Sequence, residues 1–200
     1  MQQIILASAS PRREYLLKQI GLDFQVIPSC VEEVVDPGLG PHKNVLELAN
    51  LKACSVSSCY PEAIVLGADT AVCCEGQVLG KPRDDKDAYQ MLKLLSGRTH
   101  EVISGVVLHQ EIRKLTKGEV VSTKVRFRQL NDEEIAGYIS TGESLDKAGA
   151  YGIQGFGALL VAEIKGCYFN VVGLPLSRLP EMFREFGVDL LCRRENIASP

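Results

Sequence analysis

The sequence predicts an α/β fold in which an elongated, mixed and strongly twisted sheet is flanked by helices, with two lobes around a central cleft. Three observations support this prediction. Short apolar runs typical of strands alternate with amphipathic helical patterns along the chain. Two of these runs flank a two-residue glycine turn, which indicates an antiparallel hairpin. The chain has 200 residues, 46% of them hydrophobic, which is enough for one substantial core or two closely packed lobes.

The first predicted strand runs directly into a helix. Residues 2–7 are expected to form a buried strand that leads into a short turn. Ser10 is typical of a helix N-cap, Pro11 suits the first helical position, and Gly21 marks the end of the helix. Three apolar side chains are expected on its buried face: Tyr15, Leu16 and Ile20.

The turn between this strand and this helix indicates an anion site. Arg12 and Arg13 fall in the first helical turn, where the helix dipole favours carboxylates over cations. Two guanidinium groups fit there if an anion binds among them. The free N–H groups of the turn and the hydroxyl groups of Ser8 and Ser10 would then help to hold a phosphate. The alternative is a well-capped helix that carries two solvated arginine side chains.

The next segments carry acids and a lysine whose roles the pattern leaves open. A short strand at 24–28 is followed by Glu32 and Glu33 beside a loop rich in glycine and proline. Two such acids form either a solvated edge or ligands for a hard cation, because Mg²⁺ prefers one or two carboxylates together with phosphate oxygens. A helix over 44–57 places Lys52 near its middle, where a lysine is most often exposed. This helix is expected to bury Val45, Leu48 and Leu51.

A carboxylate follows a strand that is almost wholly apolar. Residues 63–70 form this predicted strand, and Asp69 near its end would emerge at the carboxyl edge of the sheet, where α/β proteins bind ligands. Residues 72–79 predict a hairpin, which would return Lys81 to the vicinity of Asp69. A carboxylate beside a lysine at this place favours a catalytic role. An aspartate that only caps the next turn is the alternative.

The rest of the chain predicts further helices and strands around a glycine-rich segment. Asn131 and Glu134 match a capping box at the start of a helix. Residues 146–157 are dense in glycine, which lets a backbone approach a ligand closely, although the spacing is not that of a phosphate-binding motif. Helices are expected at 85–95, 132–141 and 175–187, strands at 101–108, 120–130 and 158–165, and a polar loop at 114–118. We expect one domain over 1–200, with a frayed tail at 193–200.

Composition excludes several classes of protein. The net charge of -3 provides no broad basic surface for a nucleic acid polymer. The seven cysteines include no C-x-x-C pair and the three histidines have no ligand spacing, so neither a zinc site nor a disulfide framework is expected. The apolar runs are too short for a bilayer span, and no lysine or arginine precedes Arg12 as in a signal peptide. We expect a soluble, cytoplasmic protein with no membrane association.

Six segments, in order along almost the whole chain, resemble the motifs of the Maf family. They are LASASPRR at 6–13, LGADT at 66–70, GKP at 80–82, LSGRTHEV at 95–102, DKAGAYGIQG at 146–155 and NVVGLPL at 170–176. The family consists of nucleoside triphosphate pyrophosphatases that are structurally akin to the enzymes clearing inosine triphosphate. The resemblance therefore implies cleavage between the α and β phosphates with a divalent metal, Mg²⁺ or Mn²⁺, and by analogy a homodimer.

The resemblance also implies roles for individual residues. The family's anion-binding motif falls on Ser8, Arg12 and Arg13, and its phosphate-binding lysines fall on Lys52 and Lys81. Asp69 matches the carboxylate regarded as the general base, and Glu33 matches an acid implicated in metal binding or catalysis. Both are candidate metal ligands. The family often has Asp-Glu where this chain has Glu32 and Glu33, and the promotion of Lys52 to a site residue depends on the resemblance alone.

The specificity positions resemble the branch of the family that acts on dTTP and UTP. These positions are Arg12, Thr70 and Gln154. A uracil or thymine edge offers acceptor, donor and acceptor, and the amide of Gln154 can both donate to it and accept from it. Two alternatives remain open. One is the 7-methyl-GTP branch, which typically carries Gln at the Thr70 position, and the other is a nucleotide-sensing protein without turnover, of the kind associated with arrest of septum formation.

Overall fold

The computed structural model describes residues 2–191, and the tail predicted to fray, 193–200, lies outside them. A seven-stranded sheet is flanked by six α-helices within these residues. The strands are β1 (Ile4–Leu6), β2 (Gln25–Val26), β3 (Ile64–Cys74), β4 (Gln77–Leu79), β5 (Thr99–Gln110), β6 (Leu115–Phe127) and β7 (Val161–Lys165). The helices are α1 (Pro11–Gln19), α2 (Pro41–Ser57), α3 (Asp85–Leu95), α4 (Asp132–Ser140), α5 (Tyr168–Val172) and α6 (Leu179–Glu185). None of these helices is long and apolar enough to cross a membrane.

The sheet is mixed, as the sequence predicts. Its strand order is β2-β1-β3-β5-β6-β7, with β4 paired to one end of β3. β1 is parallel to both of its neighbours, and the other pairs are antiparallel. On one side of β3, β1 pairs only as far as Leu66 and β4 pairs only from Val72. The stretch between these two positions therefore has no strand neighbour on that side, and this gap opens into a cleft.

The gap corrects the predicted position of Asp69. The sequence predicts that this residue lies at the end of a strand, whereas it lies in the middle of β3. β5 pairs with β3 from Val65 through Cys73, so the strand continues well beyond the expected end. Asp69 is nevertheless open to a ligand, because it is β1 that ends beside it. The opening that the sequence predicts at the end of β3 therefore arises at the end of β1 instead.

Two hydrophobic clusters form two lobes on either side of this gap. The first packs β1 and the start of β3 against α1 and α6, with Leu17, Leu66 and Phe183 fully buried. The second packs α3 and α4 against the far ends of β5 and β6, around Leu92 and Phe127. Side chains from both clusters line the cleft. A third cluster packs α2 against β1 and β3, so the predicted mixed sheet flanked by helices is confirmed.

Helix α2 lies unusually close to the middle of the sheet. A Cβ atom added at Gly67 would come within 2.2 Å of the carbonyl oxygen of Ala49, and one added at Gly105 within 2.3 Å of that of Val45. Both distances are far below van der Waals contact, so only glycine allows this approach. The close contact brings Lys52, which is on the same helix, over β3.

The buried faces of α1 and α2 differ from the sequence prediction. Tyr15 and Ile20 are exposed, and so is Leu51 on α2. In α1 the buried positions are Arg13, Leu16 and Leu17, which share one face at helical spacing. The inward face of α1 is therefore the one that carries Arg13 into the cleft. Hydrophobic spacing alone does not predict this orientation of the helix.

The predicted turn and helix cap elsewhere are present in the structure, whereas several strands and helices differ in length from the prediction. The hairpin turn at Glu75 and Gly76 has positive φ at both residues, and the capping box of Asn131 and Glu134 is present. β5 and β6 are longer than predicted, because a 3-10 turn at Glu111–Arg113 joins them and most of the predicted loop, 114–118, belongs to β6. The last predicted strand and helix are shorter, since 3-10 turns precede both β7 and α6.

Candidate active site

The cleft has a volume of about 570 Å³. This volume is typical of a small-molecule site, for which roughly 300–1,000 Å³ is usual. The turn after β1, the start of α1, the gap in β3 and the glycine-rich segment all contribute to its walls. Every site residue predicted from the sequence lines it: Ser8, Arg12, Arg13, Glu33, Lys52, Asp69, Thr70, Lys81 and Gln154.

Lys52 joins two carboxylates on one side of the cleft. Its Nζ lies 2.8 Å from Oε1 of Glu33 and 2.7 Å from Oδ1 of Asp69. The side chains of Lys52 and Asp69 are only 9% and 13% exposed, whereas that of Glu33 is 54% exposed. We call Glu33, Lys52 and Asp69 the acidic cluster, because one cation between two acids leaves a net negative charge.

The acidic cluster keeps its more exposed acid ionised. Burial opposes ionisation of Glu33, but the hydrogen bond and charge of Lys52, with the charges of Lys81 and Arg13, outweigh it. The pKa of Glu33 is consequently below its usual value. Opposite charges and hydrogen bonds to the charged form both lower the pKa of a carboxyl group.

Arg13 has a different environment from the phosphate contact that the sequence predicts. Its Nε donates to the carbonyl of Gly173 at 2.9 Å, and Nη1 donates to Ser8 Oγ at 3.0 Å and to the carbonyl of Ala68 at 2.9 Å. Nη2 donates to Thr70 Oγ1 at 3.0 Å. A guanidinium has five N–H donors, so a single one remains for a ligand. Burial lowers the pKa of Arg13, and the nearby charge of Asp69 opposes that effect.

Thr70, a predicted specificity residue, is part of this hydrogen-bond network. Besides accepting from Arg13, its hydroxyl lies 2.9 Å from Ser104 Oγ. Ser104 is fully buried and lies 3.4 Å from the carbonyl oxygen of Asn170. The hydroxyl of Thr70 thus orients Arg13, and this contact is one that hydrophobic and motif patterns do not reveal.

The first turn of α1 keeps free donors. Ser10 occupies the predicted N-cap position, but its side chain accepts no hydrogen bond from the helix. Within residues 2–191 the backbone N–H groups of Arg12 and Arg13 have no hydrogen-bond acceptor. Free N–H groups at a helix N-terminus attract anions. The missing side-chain cap therefore leaves donors for a phosphate where the sequence predicts an anion site.

A second charged cluster also lines the cleft. Nη1 of Arg12 lies 2.9 Å from Oδ2 of Asp146, and Nζ of Lys147 lies 2.5 Å from Oδ1 of the same carboxylate. We call Arg12, Asp146 and Lys147 the basic cluster. Sequence reasoning missed Asp146 and Lys147 as site residues. The available signal was their position at the start of the glycine-rich segment, where they flank the same cleft.

Lys81 and Gln154 line the cleft without internal partners. Within the described part of the chain, Lys81 forms no ion pair and the side chain of Gln154 forms no hydrogen bond. The charge of Lys81 reaches Glu33, whose pKa it helps to lower. These two side chains are available to a ligand without the loss of an existing contact.

Comparison with known proteins identifies the family of this chain. The profile of the Maf-like protein family matches residues 3–186. A dTTP/UTP pyrophosphatase of Carboxydothermus hydrogenoformans is 54% identical over 92% of this chain and 99% of its own length. One from Moorella thermoacetica is 52% identical over 95% and 98% of the two chains. Among solved structures, the Staphylococcus aureus Ham1 protein matches 63% of this chain and 72% of its own, at 17% identity and a TM-score of 0.46.

The match to the family covers all the residues that build the cleft. It includes the turn after β1, the gap in β3 and the glycine-rich segment, which are the places where the charged side chains converge. The chain belongs to the family of Maf-like proteins.

Proposed function

We propose that this protein hydrolyses dTTP and UTP between the α and β phosphates and releases the nucleoside monophosphate and pyrophosphate. Relatives that share about half of its residues over almost its full length are named dTTP/UTP pyrophosphatases. The single observation that carries the proposal is the presence of an acidic and a basic cluster in one cleft. Hydrolysis of a triphosphate needs cations for the phosphates and a carboxylate for the attacking water.

The acidic cluster has the chemistry of a site for Mg²⁺ or Mn²⁺. Glu33 and Asp69 each give one oxygen to Lys52, and their other oxygens have no hydrogen-bond partner within residues 2–191. No group of three metal-ligating side chains exists in that part of the chain, so substrate oxygens would complete the coordination. A divalent cation bound there would neutralise phosphate charge and activate water. Glu33 and Asp69 would hold it.

The protein's own groups account for the other requirements. Lys52 keeps the carboxylate of Asp69 in one orientation, so that its one free oxygen is held in place for the cation or for the attacking water. Arg12, Lys81 and the free N–H groups of α1 bind the phosphates and neutralise the charge that grows on the departing pyrophosphate. Arg13 holds the turn of Ser8 against β3 and keeps one N–H for the substrate.

The base is recognised by Gln154. The amide of Gln154 has no partner within the described chain, and it lies in the glycine-rich segment whose backbone forms the wall. An amide can donate to and accept from the edge of uracil or thymine. Thr70 contributes to specificity through Arg13, since its hydroxyl is already committed to that guanidinium.

A substrate panel tests this proposal. The purified protein is incubated with dTTP, UTP, 7-methyl-GTP and GTP in the presence of Mg²⁺ or Mn²⁺, and pyrophosphate and monophosphate are quantified. We expect the highest kcat/KM for dTTP and UTP, with pyrophosphate and monophosphate in equal amounts. A higher kcat/KM for 7-methyl-GTP would assign the protein to the 7-methyl-GTP branch of the family. Tight nucleotide binding without turnover would indicate that the protein is a nucleotide sensor and not an enzyme.

A further inference from the structure

The basic cluster contains a negative charge at a place where the proposed substrate brings several more. We propose that Asp146 is an internal counter-ion for Arg12 and Lys147, which the phosphates of the substrate displace and which returns when pyrophosphate leaves. Asp146 is thus a positioning residue that sets the affinity of the cleft for phosphates, and Lys147 is a further phosphate-binding cation. The inference rests on the proposed function, because it concerns the same cleft.

The geometry gives Asp146 two cations and little else. Its two oxygens each bind a different side chain, Arg12 from the start of α1 and Lys147 from its own segment. The side chain of Arg12 is 29% exposed and that of Asp146 is 59% exposed. Their hydrogen bonds outweigh the effect of burial and hold the pKa of Asp146 below its usual value, so the carboxylate is charged. The side chain of Lys147 is 15% exposed and also donates to the carbonyl of Glu143. Because Asp146 itself is more than half exposed, its ion pairs are weak enough for a stronger anion to replace.

The pair is not needed to hold the glycine-rich segment in place. The carboxylate of Glu143 accepts from the backbone N–H groups of Phe156 and Gly157 at 3.2 and 3.4 Å. Gly149 donates to the carbonyl of Gly80 at 3.0 Å, which anchors the segment to the hairpin side of the cleft. The segment keeps these anchors if Asp146 leaves Arg12. A change of partner by Asp146 is therefore local.

The position of Asp146 resembles that of a bound anion. Arg12 lies in the first turn of α1, where a cation is unfavourable unless a negative group is near. Asp146 supplies that group through a side chain that comes from 134 residues further along the chain. A phosphate carries more charge and accepts more hydrogen bonds than a carboxylate, so it competes for the same guanidinium and the same ammonium.

The main experiment compares Asp146→Asn with the wild type, with Glu163→Gln as the matched control. Glu163 pairs with Arg126 on the exposed face of the sheet, at 3.2 Å and at similar exposure, so its substitution changes net charge equally outside the cleft. Inorganic pyrophosphate is the probe, and its Kd is measured by calorimetry beside KM for dTTP. We expect both constants to fall by about threefold to tenfold in Asp146→Asn and to stay unchanged in the control.

A second background tests whether the effect acts through Arg12. The change in log Kd of pyrophosphate that Asp146→Asn causes is measured in the wild type and in the Arg12→Met variant. We expect the change in the Arg12→Met background to be less than half of the change in the wild type. An equal effect in both backgrounds, or a pyrophosphate Kd that rises or stays constant in Asp146→Asn, overturns the inference. If that variant does not fold, Asp146→Ser removes the same charge with a smaller side chain under the same expectations.

The two proposals fail in different ways. A wild-type protein that turns over neither dTTP nor UTP but whose pyrophosphate affinity rises in Asp146→Asn refutes the proposed activity and keeps the counter-ion. A wild-type protein that turns over dTTP, with a pyrophosphate affinity that Asp146→Asn leaves unchanged, supports the proposed activity and refutes the counter-ion.

Discussion

The cleft is lined by two charge clusters of opposite composition. In the acidic cluster one buried cation, Lys52, lies between two carboxylates, whereas in the basic cluster one exposed carboxylate, Asp146, lies between two cations. The first has a net negative charge and suits a metal ion. The second has a net positive charge and suits phosphates. Each cluster contains one group of the opposite sign, which keeps like charges apart before a ligand arrives.

Burial makes the two clusters respond differently to substitution. An ion pair removed from water is costly to break, because the remaining charge is left without solvent or partner. An exposed pair contributes little to stability, and its loss mainly changes which ligands bind. We therefore expect changes in the acidic cluster to affect both catalysis and stability, and changes in the basic cluster to affect affinity.

The largest effect is expected for Asp69→Asn. An amide cannot take a proton from water, and it is a poor ligand for a hard cation, so kcat for dTTP should fall by about 10³-fold or more. Pyrophosphate release and circular dichroism melting are measured together, and the fold should be retained. Asp132→Asn, which changes an exposed aspartate paired with Lys93 outside the cleft, is the matched control. An active Asp69→Asn enzyme would refute the role of this residue.

The next largest effect is expected for Lys52→Met, which keeps the length of the side chain and removes its charge. The two carboxylates of the acidic cluster would then face each other without a cation, and kcat should fall by about 10²-fold. The free energy of unfolding should decrease by about 1–3 kcal/mol, less than for a fully buried pair because Glu33 is half exposed. Denaturant titration at pH 7 measures this, and retention of wild-type activity would contradict it.

The same variant should change how stability depends on pH. The pKa of Glu33 is lower in the folded protein than the ordinary value of 4.5, so its contribution to stability is present above that pH and is lost as the pH falls through the folded value. In Lys52→Met this lowering is largely removed. The difference in unfolding free energy between about pH 6 and about pH 3.5 should then be smaller than in the wild type. A difference as large as that of the wild type would count against the link between Lys52 and Glu33.

A smaller effect is expected for Arg12→Met in the basic cluster. Removal of one partly exposed phosphate contact should raise KM for dTTP by about tenfold, with little change in kcat and in melting temperature. Steady-state kinetics separate the two constants. A large loss of kcat at unchanged KM would mean that Arg12 acts on the transition state and that the contrast between the two clusters is wrong.

The smallest effect is expected for Gln154→Ala, since this residue belongs to neither cluster. Its loss should reduce kcat/KM for dTTP and UTP by about threefold relative to GTP, because the base loses its hydrogen bonds. Pyrophosphate binding, measured by calorimetry, should remain unchanged. A fall in pyrophosphate affinity would place Gln154 among the phosphate contacts.

Sequence reasoning succeeded where a signal is confined to neighbouring residues. The hairpin at Glu75 and Gly76 and the capping box at Asn131 are specified by adjacent backbone and side-chain groups, so a short window contains all the information. The same holds for the start of α1 at Pro11. The anion site and the candidate acid Asp69 were proposed because unusual residue types interrupt a regular strand or helix, and the structure places these residues in one cleft.

Pairs that form only in the folded chain were beyond the reach of sequence patterns. Lys52 meets Asp69 across 17 positions, and Arg12 meets Asp146 across 134. Lys52 was identified only through the family resemblance, and the helical pattern on its own suggested an exposed residue. Tyr15 was expected to be buried because hydrophobic spacing does not reveal that α1 turns the face with Arg13 inward.

The open stretch of β3 has a consequence for solubility as well as for catalysis. Unpaired strand edges can recruit a strand from another molecule and start aggregation. Here the carbonyl of Ala68, on the uncovered side of β3, is bonded by the guanidinium of Arg13, so a side chain takes the place of a neighbouring strand. The arginine thereby occupies a carbonyl that a strand from another molecule would need for β-pairing, at a position where the sheet is open to the cleft.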